Sequence, residues 1–223
     1  VDIKSPGFND VIVKIRACGV CGTDIHYLKQ WTEDAMPLGH EIAAEVMETG
    51  KGVKNFKPGD KVIVEDCSMC GICVNCKNGR PDRCINMYSM NSQPGIGQYL
   101  CLRYNSLVKF DGLSFVDASI TEPLSVSLNS VLAAEIPFNG SVAVFGCGPL
   151  GLMSAKIAKL QGAGFVAITE INTGSRLGKA RVELANKLGI DLIIDSSKED
   201  VEKVIKKRFS QGVDRVIVSS PPE

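Results

Sequence analysis

The chain has 223 residues, 25 of them basic and 25 acidic, so apart from two histidines it carries no net charge. That balance excludes the electrostatic footprint expected of a nucleic-acid or anionic-membrane binder, and no apolar run approaches the length of a spanning helix. Hydrophobic residues make up 44%, enough for one large core or two modest ones. The expectation from its opening residues is that no signal peptide is present. Of the nine cysteines, five crowd into positions 67–84, which argues for metal in a reducing compartment rather than a secreted disulfide framework. The expectation is a soluble, cytoplasmic protein.

Near the start, Val11, Val13, Ile15 and Ala17 alternate with Ile12, Lys14 and Arg16, predicting a strand with at least one buried face. It runs straight into Cys18-Gly-Val-Cys21, so Cys21 stands where strand gives way to loop. Thr23 or Asp24 can cap a short helix carrying His26, Tyr27 and Leu28. Pro37-Leu-Gly39 reads as a turn, Ile42 to Met47 as a strand, and Pro58-Gly59-Asp60 as a turn before Val62-Ile63-Val64. Short strands joined by such turns suggest a partly open β-barrel. Both histidines lie here, in Cys21-Gly-Thr-Asp-Ile-His26 and Gly39-His40-Glu41. A catalytic zinc takes about three protein ligands and keeps one position open. Cys21 and His40 supply two, and Glu41 is a third ligand or a near neighbour. The same residues also serve as ordinary buried or hydrogen-bonded side chains, so further signals have to decide.

The next stretch, Cys67-x2-Cys70-x2-Cys73-x2-Cys76-x7-Cys84, offers five thiols for the four places of a closed tetrahedral site. Such a shell has no open position, so the site is structural and would staple a loop poor in apolar residues. An iron–sulfur cluster is the rival, but a ferredoxin run closes with x3 and Cys-Pro, and here the tail is x7. Gly97 to Phe110 returns to strand character around a turn at Asn105. Thr121-Glu122-Pro123 then opens a helix with Leu124, Leu128, Val131 and Leu132 at helical spacing, ended by Pro137 and Gly140. Here the two halves meet.

In the second half the period changes. Val142 to Phe145 is a short continuous apolar run, as expected of a buried parallel strand. Gly146-Cys-Gly148-Pro149-Leu150-Gly151 follows at once, and then a helix through Leu152, Ala155, Ile157, Ala158 and Leu160. Between strand and helix the glycines permit the tight turn and the approach of a pyrophosphate, which rests on the helix N-terminus. A second strand, Phe165 to Thr169, ends in Glu170, placed to accept the hydroxyls of an adenosine ribose. Helices at about 176–188 and 199–209 and strands at 191–194 and 213–218 complete an alternation that implies a doubly wound parallel sheet.

Taken in order, Cys-Gly-Thr-Asp-x-His, Gly-His-Glu, the cysteine lobe, Glu-Pro-Leu and Gly-x-Gly-x-x-Gly resemble the zinc-containing medium-chain alcohol dehydrogenases, nearest the polyol and threonine dehydrogenase branch. The likeness runs from about residue 8 to the end. It implies a mixed α/β chain: a GroES-like, partly open β-barrel catalytic domain over 1–122 with a structural-zinc lobe near 66–86, then a Rossmann domain over 123–223 with its first four strands. It selects Cys70, Cys73, Cys76 and Cys84 for the structural zinc, leaving Cys67 spare. Cys21 and His40 would hold the catalytic zinc with Glu41 in or near the shell, and Glu122 matches a position where simple alcohol dehydrogenases place cysteine and polyol enzymes glutamate. Thr23 would bind the substrate oxygen, His26 would pass its proton outward, and Asp24 would orient His40. Gly146, Gly148, Pro149, Leu150, Gly151 and Glu170 would bind NAD. The plainer alternatives are helix caps for Thr23 and Asp24 and a first-turn acid for Glu122.

The implied reaction moves hydride between a secondary alcohol (a polyol, a diol or threonine) and NAD, in a homo-oligomer with two zinc ions per complete chain. Two departures stand out. A full dinucleotide-binding sheet has six strands, and four are counted here. The connection Asn172-Thr-Gly-Ser-Arg176 is longer than usual, and Arg176 could face a 2′-phosphate, which keeps NADP open. A catalytically incompetent zinc scaffold is the alternative outside enzymology. A quinone or enone reductase of the same superfamily is disfavoured by Cys21, His40 and the cysteine lobe.

Overall fold

A computed structural model describes residues 5–29, 37–90 and 93–220. The chain divides into two compact units, Val1–Glu122 and Pro123–Glu223. The first holds β1 (Asp10–Gly19), α1 (Gly22–Lys29), β2 (Glu41–Thr49), β3 (Lys61–Val64), β4 (Cys67–Ser68), α2 (Val74–Lys77), β5 (Tyr88–Ser89), β6 (Tyr99–Arg103), β7 (Leu107–Lys109) and α3 (Phe115–Ser119). Five of its strands form one antiparallel sheet in the order β6-β1-β2-β3-β7, and β4 pairs with β5 apart from it. Val11 and Val13 of β1, Ile42, Ala44 and Val46 of β2, Val62 and Val64 of β3 and Leu100 and Leu102 of β6 build its core. The β1–β2 register shifts twice, between Ile12 and Val13 and between Ile15 and Ala17. Such irregularities bend and twist a strand, which curls a small sheet toward a barrel.

The register also fixes what meets at the sheet's end. Cys18 pairs with Ile42 and Gly19 with Glu41. The segment leaving β1 therefore runs beside the one entering β2, and Cys21 arrives next to His40. Gly39 makes this approach feasible. Its φ is +87°, and a side chain there would press on Cys18 Sγ and the Ile96 backbone. Between β4 and β5 the cysteine lobe stands off the sheet, tied back where Asn105 Nδ2 donates to Met69 O at 2.7 Å and where the buried Ser68 and Ser106 hydroxyls meet at 2.9 Å.

The second unit holds α4 (Thr121–Ala133), which starts at the boundary, β8 (Ser141–Phe145), α5 (Pro149–Leu160), β9 (Phe165–Glu170), α6 (Arg176–Lys187), β10 (Leu192–Asp195), α7 (Val201–Lys206) and β11 (Arg215–Val218). Its four strands are all parallel, in the order β10-β9-β8-β11. Every residue of β9 is buried, as a strand covered on both faces requires. One face packs Val142, Val144, Val166 and Ile168 with Leu152, Ala155 and Ala158 of α5, and the other packs Phe165, Ala167 and Ile194 with Ile205 of α7. This is the expected doubly wound arrangement. Helix α4 forms where the leucine spacing predicts it, yet Leu124, Leu128 and Leu132 are 43%, 42% and 56% exposed. Its buried row is Pro123, Ser127 and Val131, small enough for close packing, and the Ser127 hydroxyl donates to the carbonyls of Pro123 and Leu150. Among the described residues no helix is long and apolar enough to cross a membrane.

Candidate metal centres and coenzyme cradle

Cys21, His40 and Glu41 each present a ligand atom, and the three atoms lie within 4.8 Å of one another. Beneath them sits Asp24, 3% exposed. Its Oδ2 accepts the Cys21 N–H and its Oδ1 the Gly39 N–H, both at 2.9 Å, so one carboxylate clamps the two segments that carry the candidate ligands. The same Oδ1 is 3.8 Å from His40 Nδ1, too long for a hydrogen bond but close enough to orient a cationic or metal-bound ring. The expected cap of α1 is redistributed. Cys21 precedes the helix and its sulfur takes the Thr23 N–H at 3.5 Å, while Asp24 reaches back from the first turn like the acid of a capping box. Thr23 keeps its hydroxyl 3.6 Å from Cys21 Sγ. His26 lies exposed one turn along α1, with its ring 6.3 Å from that of Tyr27.

Glu122 lies outside that triplet but is electrically part of it. Burial raises the Glu41 carboxyl pKa, and the charges of Glu122 and Asp24 add to the rise against the pull of His40. Burial also raises Glu122, which feels His40 in the lowering sense and Asp66 in the raising one. Several acids sharing a half-buried end of a sheet favour a cation in their midst. A sulfur, an imidazole and carboxylates converging there form a donor set suited to zinc.

In the lobe, the sulfurs of Cys70, Cys73, Cys76 and Cys84 lie within 4.8 Å of one another, and Cys67 is exposed on β4 outside the cluster. Backbone amides are already aimed at them. The Cys70 N–H donates to Cys84 Sγ at 3.3 Å. The amides of Cys76 and Ile85 pull the Cys73 thiol down to about 6, whereas burial and the link to Cys73 push Cys76 up to about 12. Cys73 and Cys76 stand 3.5 Å apart. Backbone amides thus favour thiolate at Cys73 and lower Cys70 as well, whereas burial opposes it at Cys76, so a cation in their midst would favour the thiolate form of all of them. That is the chemistry of a structural metal site.

The glycine-rich turn is shaped for a close ligand. Gly146 has φ +105°, and its N–H donates to Thr169 Oγ1 of β9 at 3.0 Å. A side chain at Gly151 would overlap the Gly146 carbonyl, whereas one at Gly148 would meet nothing within 4 Å. Gly148 precedes α5 with no side chain capping it, Pro149 takes the first turn, and Leu150 and Gly151 follow. The helix start therefore keeps backbone donors for an anion. Glu170 ends β9, 4% exposed. Its Oε2 pairs with Arg181 Nη1 at 3.2 Å and its Oε1 takes the Asn172 N–H at 3.3 Å. Arg176 is exposed at the first position of α6.

The family model for the alcohol dehydrogenase GroES-like domain matches residues 7–112, and the one for zinc-binding dehydrogenases matches 149–223. An L-threonine 3-dehydrogenase of Rhizobium johnstonii is 35% identical over 215 residues, 92% of this chain and 60% of the relative. The chain belongs to the zinc-containing medium-chain alcohol dehydrogenase family. It spans about 60% of the length of the curated relatives it matches. Among solved structures of the family, one described as a zinc-binding dehydrogenase from Sinorhizobium meliloti, bound to NADP, is 30% identical with a TM-score of 0.83 over 98% of this chain and 64% of its own. A 2R,3R-butanediol dehydrogenase from Bacillus subtilis is 29% identical with a TM-score of 0.80 over 98% of this chain and 65% of its own.

Within this dehydrogenase family member, the structure brings together Cys21, His40, Glu41 and Asp24, and the four cysteines of the lobe. It sets Glu122 near the former by charge, and it keeps Arg176 apart from the Glu170 carboxylate that Arg181 engages. Arg181 escaped the sequence reading because it lies 11 residues from Glu170, across an irregular connection. The detectable signal was an arginine on the second turn of a helix that begins near an acid-ended strand. Asp66 escaped as well. It lies between β3 and β4, and its influence on Glu122 depends on how the chain folds back.

Proposed function

We propose that this protein is a zinc-dependent oxidoreductase that transfers hydride between a secondary alcohol and NAD. The observation that carries the reading is the convergence of Cys21, His40 and Glu41 on one point with Asp24 clamping the segments behind them. Cys21 and His40, with a carboxylate from Glu41 or Glu122, would hold the ion. Bound zinc supplies a Lewis acid for the substrate hydroxyl, and the nicotinamide supplies the hydride acceptor. Asp24 fixes the direction of the imidazole and the approach of the two segments. The Thr23 hydroxyl, beside Cys21 Sγ, is suited to hydrogen-bond the substrate oxygen and take its proton, and His26, one turn further along α1, to hand that proton to solvent. In the second unit, the open approach at Gly148 would admit the pyrophosphate and Glu170 would accept ribose hydroxyls.

Threonine and 2,3-butanediol, named by two of the relatives, are both secondary alcohols, which supports that class. Polyols and vicinal diols are the leading candidates and L-threonine the second. We also propose a homo-oligomer carrying two zinc ions per complete chain.

Metal analysis joined to a panel of sorbitol, xylitol, galactitol, butanediol and threonine, run with the full-length protein, tests the reading. Two equivalents of zinc and turnover of a secondary alcohol are expected. His40→Ala should abolish turnover and release one equivalent while NAD still binds, because the glycine-rich turn belongs to the other unit. Turnover that survives loss of that zinc overturns the mechanism. Iron in the lobe overturns the structural assignment.

A further inference from the structure

The acid at the end of β9 does not stand alone. Glu170 is buried, and its Oε2 is held at 3.2 Å by Nη1 of Arg181, whose side chain is 31% exposed on the second turn of α6. A guanidinium carries five donors in a fixed fork. One is committed to Glu170, and the side chain remains partly exposed. The pair lies close to the glycine-rich turn, where the Gly146 N–H donates at 3.0 Å to the hydroxyl of Thr169, the neighbour of Glu170 on β9. By contrast, Arg176 is exposed at the helix start and forms no ion pair among the described residues.

We propose that Arg181 is a specificity-determining residue that sets which 2′ substituent the adenosine ribose site admits, by holding Glu170 in a charge-balanced pair. The inference rests on the coenzyme reading given above. An unpaired carboxylate favours a 2′-hydroxyl and repels a 2′-phosphate. An unpaired guanidinium does the reverse and grips phosphate through its fork. Joined, the two present little net charge, so the site takes hydroxyls on the free lone pairs of Glu170 and discriminates only weakly against phosphate. Each partner alone would make the site strict, and in opposite directions.

The test measures dissociation constants of 5′-AMP and 2′,5′-ADP by calorimetry at fixed low salt. It uses the full-length, zinc-loaded protein and its Arg181→Gln, Arg181→Lys and Glu170→Gln variants. The ratio of the two constants within one variant cancels any loss of folded protein. Arg181→Gln should shift the ratio against 2′,5′-ADP by about tenfold, the order of one part-exposed charge at this range. Glu170→Gln should shift it by a similar factor the other way, and Arg181→Lys should stay near the parent. If Glu170→Gln melts the unit, the Arg181→Gln ratio alone decides. A parent that binds AMP with a ratio unchanged by Arg181→Gln overturns the inference and spares the coenzyme reading. A parent that binds neither nucleotide overturns both.

Discussion

Asp24 shows how one side chain can hold two segments and stand behind a candidate metal site at once. It is 3% exposed and accepts the Cys21 and Gly39 amides, so removing it strands both donors. Asp24→Ala should therefore cost about 1–3 kcal/mol for each stranded N–H, read by urea unfolding. It should also weaken zinc at Cys21 and His40 by about 10–100-fold in a chelator competition, as loss of a ligand-orienting group does. Asp24→Asn, which keeps one acceptor, should fall between. Unfolding and metal affinity that both match the parent would show that the clamp is idle. The sequence offered Asp24 two roles, helix cap or orienter of His40. The fold does not make it the residue that precedes the helix, because that place belongs to Cys21, and it sets the carboxylate 3.8 Å from the His40 ring.

At the scale of elements, the lobe and the start of α5 make opposite demands. The lobe has few buried apolar side chains, with Ile72, Val74 and Ile85 all exposed. Its order would come from metal, amide donors and two ties to the sheet. Cys70→Ser should release one zinc and raise amide exchange across residues 69–85 while leaving the β1–β2 ladder protected, because site and core are separate. Helix α5 offers a cleaner dissection. Gly148 has an ordinary extended backbone, φ −76° and ψ −179°, with open space around a new Cβ. Gly148→Ala should leave stability within about 0.5 kcal/mol yet weaken NAD binding by obstructing the pyrophosphate. Gly151→Ala, directed into the Gly146 carbonyl, should lower both the melting temperature and NAD binding. Equal behaviour of the two variants would contradict the cradle.

Across the whole molecule, acid sensitivity should concentrate in the parallel sheet. Asp195 accepts from Thr173, Ser197 and Lys198, and Asp214 from the Ser141 amide and hydroxyl. These bonds hold both carboxyls below their ordinary range. A carboxyl depressed in the folded state stabilises above its unfolded value, and that gain is lost as pH falls from about 4 toward the folded value. Asp195→Asn and Asp214→Asn should each lower stability at pH 7 and flatten the acid limb, as followed by denaturant titrations. An unchanged slope would remove these residues from the account. Much of this unit was legible beforehand, because a strand–glycine–helix order with apolar runs such as Val142 to Phe145 repeats locally. The glycine-rich turn, the cysteine spacing and the Cys21–His40 pair could likewise be read from the sequence. The Glu170–Arg181 pair and the exposed leucines of α4 could not, since they depend on contacts that no periodicity encodes. The pairing of Gly19 with Glu41 reaches further than the placement of two candidate ligands. Sliding β1 against β2 by one residue would turn every side chain of the strand to the opposite face and part the Cys21 sulfur from the His40 ring. An ion that needs both would then act as a proofreader of strand alignment, retained by the correctly paired sheet and surrendered by a slipped one, so that metal retention after refolding doubles as a count of molecules in register.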